Sequence, residues 1–480
     1  MSKNEENFVK EITNIEENFA KWYTDIVKKS ELVEYSSVKG CMIIRPYGYK
    51  IWENIQNYLD KKFKETGHEN VYMPMFIPES LLKKESDHVE GFSPEVAWIT
   101  YGGNEPLNER LCVRPTSETL FCEHYSNIIE SYKDLPKLYN QWCSVVRWEK
   151  STRPFLRTTE FLWQEGHTAH ETEDEAIKEA LKMLDVYGDF CENVLAIPVI
   201  KGKKTQKEKF AGAKDTYTIE SMMHDGKALQ SGTTHNFSDI FSKAFNITFS
   251  DKDGLRKNVF QTSWGVSTRL IGAIIMVHGD DRGLCLPPRI APIEVMLIPI
   301  NTKNEDVMEK ISSIYDSLKN NFKCKLDTSS KSAGWKFNEY DMKGVPVRLE
   351  LGARDLENNS ITLYRRDTGE KKVISLDLNL EHIIKETLNS IHENLFNKAL
   401  NKRNEKTYSA KTMDEFKEIY KTKDGFTKVM LCSDHECELK IKEEIGVSSR
   451  CIPFVQTKIT NTCICCNKPT DTMVIFGKSY

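Results

Sequence analysis

Residues 143–170, CSVVRWEKSTRPFLRTTEFLWQEGHTAH, read as two strands joined by a loop, yet they put charge where a strand pair normally buries apolar side chains. Side chains alternate across a strand, so Arg147 and Glu149 share one face of the first, and Phe161, Trp163, Glu165, His167 and Ala169 share one face of the second. The loop EKSTRPFLR adds Arg153 and Arg157. A solvent-exposed sheet laced by cross-strand ion pairs would account for the charges alone. It does not account for the Phe and Trp set between them, because aromatic rings mixed with cations and carboxylates suit a pocket that holds a ring and a phosphate together.

The 480 residues are 39% hydrophobic and 29% charged, which allows about two to four domains and a sizeable core. No apolar run approaches the roughly 18 residues of a membrane span, and the opening MSKNEENFVKEITNIEENFAKWY is too acidic for a targeting peptide, so a cytoplasmic protein with no membrane association is expected. A net charge of −4 gives no general attraction to polyanions, so any RNA binding rests on local surface. Residues 1–286 mix helical stretches (IWENIQNYLDKKFKE) with β-rich runs (VYMPMFI, IGAIIMVHG) until LPPRIAP interrupts them, since consecutive prolines continue neither a helix nor a central strand. Over 287–400, IEVMLIPI, DVMEKISSIYDSLKNN, VPVRLELG and ITLYRRD alternate strand and helix, as in an α/β domain. The lysine-rich NKALNKRNEKTYSAK leads into a third unit, 401–480.

That third unit is marked by its thiols. Of thirteen cysteines, seven are scattered over the first 431 residues in apolar settings and six crowd into the last 49. Cys432 and Cys437 form one close pair, and Cys463, Cys465 and Cys466 a cluster about 25 residues on, a pattern that suits a tetrahedral zinc–thiolate site, with free or redox-paired thiols as the alternative. Cys463 with Cys466 makes the usual two-residue turn, which leaves Cys465 as the spare and Cys451, before Ile-Pro-Phe, as core.

The run RWE, loop, FLRTTEFLWQEGH resembles motif 2 of the class II aminoacyl-tRNA synthetases, and its wording is similar to that of the prolyl-tRNA synthetases of archaeal and eukaryotic type. Other segments agree in order: GCMIIRPYGYKIWENIQNYL through VYMPMF resembles motif 1, RPTSE the amino-acid-binding loop, QSGTTH a later active-site segment, WGVSTR motif 3, and GWKFNEYDMKGVPVRLELG the anticodon-binding domain. The resemblance covers nearly the whole chain. It implies a mixed α/β (α+β) protein: an antiparallel-sheet catalytic domain at 1–286, an α/β anticodon-binding domain at 287–400, and a small α/β zinc-binding domain at 401–480. Only 95 or so residues lie between His170 and Trp264, so no editing insertion is expected.

The activity implied is that of a proline–tRNA ligase, which activates L-proline with ATP to prolyl-adenylate and transfers it to the 3′ end of tRNA(Pro). Activation passes through a pentavalent phosphorus with added negative charge, which fixed cations stabilise; the resemblance gives that catalytic role to Arg147 and Arg269. It assigns ATP to Arg147, Glu149, Arg157, Thr158, Phe161, Gln230, Thr233, Ser267 and Arg269, and proline to Phe92, Thr116, Glu118, Arg147, Trp163, Glu165, His167 and His235. It further implies Mg2+ with the ATP substrate, structural Zn2+ on Cys432, Cys437, Cys463 and Cys466, and a homodimer built through motif 1. Lys336, Arg348 and Arg366 are the basic candidates for reading tRNA. A synthetase for another small amino acid, a non-catalytic relative and a zinc-dependent nucleic-acid-binding protein remain as alternatives; proline-type wording, the three arginines and the first 286 residues argue against them in turn.

Overall fold

The computed structural model describes residues 12–88 and 95–480, apart from the side chains of 85–88. Phe92 lies outside the described residues.

Two long strands carry the stretch that opened the analysis: Lys137–Val146 and Glu160–His170 pair antiparallel, with Gln141 opposite Glu165 and Cys143 opposite Trp163. They belong to an eleven-stranded sheet. In chain order its catalytic strands are β1 (Glu69–Asn70), β2 (Lys137–Val146), β3 (Glu160–His170), β4 (Val199–Lys203), β5 (Asp215–Met222), β6 (Ala228–Ser238) and β7 (Phe260–Ser267). Across the sheet they run β4-β5-β6-β7-β3-β2-β1, antiparallel throughout except for β1 beside β2.

Helices cover one face. α1 (Phe19–Lys29) packs near the last helix of the domain; α2 (Pro46–Glu65) begins with a proline, which suits the first helical turn, and buries Ile51, Trp52, Ile55, Leu59 and Phe63 along a single stripe. α3 is Glu118–Ile128. α4 (Glu173–Asn193) starts at a capping box in which Thr172 and Glu175 satisfy each other's backbone N–H groups, and it buries Ala176, Ala180, Met183, Leu184 and Tyr187 against the sheet. α5 is Arg269–His278. The residues between His170 and Trp264 are thus spent on α4, on β4 to β6 and on a short helix, Ile240–Phe245. One glycine is decisive here: a Cβ on Gly166 would stand 2.1 Å from Cζ2 of buried Trp264, its cross-strand partner, so only glycine lets that indole lie flat on β3.

The second domain is a five-stranded mixed sheet of β8 (Val295–Pro299), β9 (Cys324–Leu326), β10 (Val347–Leu351), β11 (Ser360–Arg365) and β12 (Lys371–Ser375), ordered β9-β8-β10-β11-β12. α6 (Glu305–Leu318) and α7 (Ala333–Met342) pack on it, and α8 (Leu380–Glu405) runs on toward the third unit. The three basic candidates for tRNA contact are consumed inside this fold. Lys336 is fully buried on the carbonyl of Asp327, Arg348 lies between the rings of Phe337 and Tyr364 while pairing with Glu350 and Asp341, and Arg366 is held by Asp280. None can meet a nucleotide without opening a buried ion pair, which corrects that expectation.

The third unit contributes β13 (Thr407–Ser409), β14 (Phe426–Met430), β15 (Ser448–Pro453) and β16 (Met473–Gly477), with α9 (Met413–Thr422) and α10 (His435–Ile445). It has its own core around Phe416, Val429, Ile441, Val474 and Phe476, yet β15 pairs with β4 and so extends the catalytic sheet. Gly202 permits the approach, because a Cβ there would stand 2.5 Å from the Ile452 carbonyl and 2.9 Å from Cys451, which is fully buried in the seam.

Candidate active site

Register explains why the sheet has a hollow on its open face. Glu165, His167 and Trp163 of β3 stand directly across from Gly265, Ser263 and Ser267 of β7, and β7 in turn faces Thr233 and His235 of β6. Large polar and aromatic side chains opposite glycine and serine leave room between strands. The result is a cleft of about 260 Å³ lined by Thr116, Glu118, Arg147, Phe161, Trp163, Glu165, His167, Gln230, Thr233, His235, Ser267 and Arg269, all of them expected from the sequence.

The cleft lining holds carboxylates. Buried Glu165 accepts at Oε1 from Ser117 Oγ (2.5 Å) and Gln141 Nε2 (2.6 Å), and at Oε2 from His167 Nε2 (2.9 Å). Burial alone would raise its pKa, but these bonds outweigh that and hold the carboxyl below the usual glutamate value. The His167 ring is fixed in turn by stacking on Phe121, with centroids 4.1 Å apart. Glu118, at the first position of α3, accepts from the Thr116 hydroxyl and from Ser263 Oγ at 3.4 Å. Beside it His235 is pushed down to about 3, by burial first and by the charge of His167 second, so it is neutral at physiological pH; its Nδ1 lies 2.9 Å from Thr216 Oγ1.

The same lining also holds cations. Arg147, just past β2, donates Nε to the Pro115 carbonyl at 3.1 Å, and its guanidinium stands 5.5 Å from the Phe161 ring and 5.3 Å from that of Trp163. Arg269 opens α5. Burial lowers its pKa, and the like charge of Arg147 lowers it further, so an anion bound between these two arginines would relieve both.

The structure does not bring every expected residue into the cleft. Arg157 and Glu149 pair with each other (2.7 Å) on an outer lip shared with Arg147 and Lys150, and buried Thr158 faces a neighbouring hollow with Phe161, Met42 and Ile44. The lining residues Lys204, Glu208, Phe210 and Thr216 were not anticipated. The signal for this wall was present in DTYTIESM, where Thr216, Thr218 and Glu220 place polar groups at every second position of a buried strand.

Far from the cleft, the Sγ atoms of Cys432, Cys437, Cys463 and Cys466 lie within 4.8 Å of one another, with Cys432 3.7 Å from Cys437 and 3.6 Å from Cys466. Cys465 turns its Sγ to the Cys437 carbonyl, 3.5 Å away. The chain's end is docked as well: Tyr480 Oη donates to Asp225 at 2.6 Å, and its ring lies 4.9 Å from Lys227 Nζ and 5.8 Å from the guanidinium of Arg153 in the motif 2 loop.

An antiparallel sheet with a polar cleft on its open face, arginines from a strand end and from a helix start, and a separate α/β domain beyond, defines a class II aminoacyl-tRNA synthetase. Residues 101–278 match the family model described as tRNA synthetase class II core domain (G, H, P, S and T), 294–387 the anticodon binding domain, and 413–480 the prolyl-tRNA synthetase C-terminal model. The chain is 68% identical over 480 residues to a proline–tRNA ligase of Clostridium novyi, covering 100% of both, and 62% identical over 476 residues to one of Ruminiclostridium cellulolyticum, covering 99% of both. Its structure superposes with a TM-score of 0.93 on the crystal structure of prolyl-tRNA synthetase from Cryptosporidium parvum complexed with halofuginone and AMPPNP, at 40% identity and with 98% and 99% of the two chains covered. The chain belongs to the prolyl-tRNA synthetase family.

Proposed function

We propose that the cleft binds L-proline at its carboxylates and ATP at its arginines, forms prolyl-adenylate, and delivers proline to the 3′ end of tRNA(Pro). The observation that carries this is one continuous cleft lined by both kinds of charge, the carboxylates Glu118 and Glu165 with neutral His235, and the guanidinium groups Arg147 and Arg269. The carboxylates attract proline's secondary ammonium, while Trp163 and His167 enclose its ring. A substrate carboxylate oxygen then attacks the α-phosphorus of ATP; the new C–O–P bond forms as the bond to pyrophosphate breaks. Arg147 meets the negative charge that gathers on phosphorus, which is worth most where donors are fixed in advance. Phe161 and Arg269 sandwich the adenine, Gln230, Thr233 and Ser267 hold the ribose and phosphates, Glu149 and Arg157 close over the nucleotide from the lip, and Thr158 supports Phe161 from the neighbouring hollow. No protein nucleophile is needed, so catalysis is positioning and electrostatics. AMPPNP in the Cryptosporidium parvum complex supports the ATP reading.

Mg2+ arrives with the phosphates of ATP, and hard oxygen donors suit it better than the thiolate cluster does. That cluster suits Zn2+, since four thiolates about 2.3 Å from one ion stand about 3.8 Å apart in a tetrahedron; with no open position the role is structural. The chain works as three units, 1–286, 287–400 and 401–480, the second passing to the third within α8. It acts in the cytoplasm, in keeping with the absence, among the described residues, of any helix long and apolar enough to cross a membrane. It pairs as a homodimer through the motif 1 side, where Ile43, Tyr72 and Phe76 are exposed.

ATP–pyrophosphate exchange with each of the twenty amino acids tests the reading. Proline alone should support rapid exchange; a faster rate with threonine, serine or glycine would refute it.

A further inference from the structure

The seam between the third unit and the catalytic sheet contains charge that packing does not require. Glu220, in β5 and cross-strand from Gln230, is buried with its carboxylate between two cations. Its Oε1 accepts from Lys204 Nζ at 2.7 Å and Thr218 Oγ1 at 2.9 Å, and its Oε2 from Nε and Nη2 of Arg450 in β15, each at 3.1 Å. Lys204 Nζ also donates to the Arg450 carbonyl at 2.8 Å, and both cations are buried. The next residues along each strand repeat the pattern: Thr205 and Ser449 both donate to Oε1 of buried Glu438, on α10.

Buried ion pairs seldom add stability beyond what apolar residues of equal volume would give, so their use at a seam calls for another reason. That reason lies across the strand. Lys204, Gln230 and Arg269 all line the cleft, and Glu220 is bonded to the first and stands cross-strand from the second, which puts its carboxylate beside the cleft wall. A Glu220 engaged by Lys204 alone would turn its free oxygen toward Arg269 and compete with the nucleotide for it. We infer that Arg450 is a positioning residue for the nucleotide subsite, holding Glu220 away from Arg269 so that the guanidinium is free for ATP. The inference rests on the reading of Arg269 and Gln230 as nucleotide ligands, and it makes the third unit a part of the catalytic site.

Arg450→Met, Arg450→Lys and Arg269→Ala, each in the full-length protein, separate the possibilities in proline-dependent pyrophosphate exchange. Arg450→Met should raise the KM for ATP about five- to tenfold and leave that for proline within about twofold, the size of an ordinary coupling between two groups. Arg450→Lys, which keeps the charge, should recover most of the loss. An unchanged ATP KM in folded Arg450→Met, or equal rises for ATP and proline, overturns the inference and leaves a purely structural seam. Should Arg450→Met fail to fold, Arg450→Leu, which likewise removes every donor to Glu220, is judged by the same split. If Arg269→Ala leaves the ATP KM unchanged, the fault lies with the nucleotide reading itself.

Discussion

Asp280 and Arg366 are joined by a two-pronged ion pair, Nη2 to Oδ1 at 2.6 Å and Nη1 to Oδ2 at 2.8 Å. Asp280 follows the last catalytic helix and Arg366 the fourth strand of the anticodon-binding sheet, so the pair fastens one domain to the other. Arg366 also donates Nε to the Asp341 carbonyl at 2.9 Å. Burial would raise the Asp280 carboxyl, but the guanidinium holds it below the usual aspartate value.

Arg366→Met should therefore uncouple the domains. Losing one partner of a buried pair costs about 3–5 kcal/mol, and the lower figure applies because 40% of the Asp280 side chain is open to water. Charging of tRNA should fall by at least about tenfold while proline-dependent exchange stays near wild type. Equal losses in the two assays would show that the pair does not set domain orientation.

Arg147→Ala should lower exchange by about 100-fold or more, the usual loss when a fixed donor to transition-state charge is removed. The fold should persist, since among the described residues the Arg147 side chain donates a hydrogen bond to the Pro115 carbonyl alone. Near-wild-type exchange would remove Arg147 from the chemistry.

Metal analysis separates the two adjacent thiols. Cys465→Ser should retain one zinc per chain and Cys466→Ser should lose it, because Sγ of Cys466 stands in the four-thiol cluster and that of Cys465 points to a backbone carbonyl. The reverse result would move the fourth ligand to Cys465.

Assembly can be read by sedimentation. A homodimer of two 55.4 kDa chains should persist at micromolar concentration. A monomer would leave the exposed apolar side chains at Ile43, Tyr72 and Phe76 to another partner.

Acid sensitivity should begin above the carboxylate range. Buried His278 donates Nε2 to the Leu195 carbonyl, and burial pushes its pKa down to about 4. Its folded pKa is depressed, so the unfolded chain takes up the proton first. Stability is full above about pH 6.5 and falls toward pH 4 by about 1.4 kcal/mol per unit. His278→Gln should flatten the fall in melting temperature over that window; an identical slope would show that other groups carry it.

Much of this protein was readable along the chain, because local patterns report local physics. Alternation announced that Phe161, Trp163, Glu165 and His167 share a face; the prolines at 287 and 288 marked the end of the catalytic part; and cysteine spacing singled out the four thiols that the structure gathers. What a pattern along one strand does not carry is its neighbour. That Ser263 and Gly265 stand opposite His167 and Glu165, and so open the cleft, depends on strand register. That Arg157 turns to Glu149, and that Lys336, Arg348 and Arg366 are buried in ion pairs instead of lying exposed, depends on partners distant in sequence or on packing no composition displays. The meeting of Glu220 with Arg450, 230 residues away, is the extreme case. Propensity and periodicity are short-range, whereas burial of charge is settled by whichever groups the completed fold brings within a few ångströms.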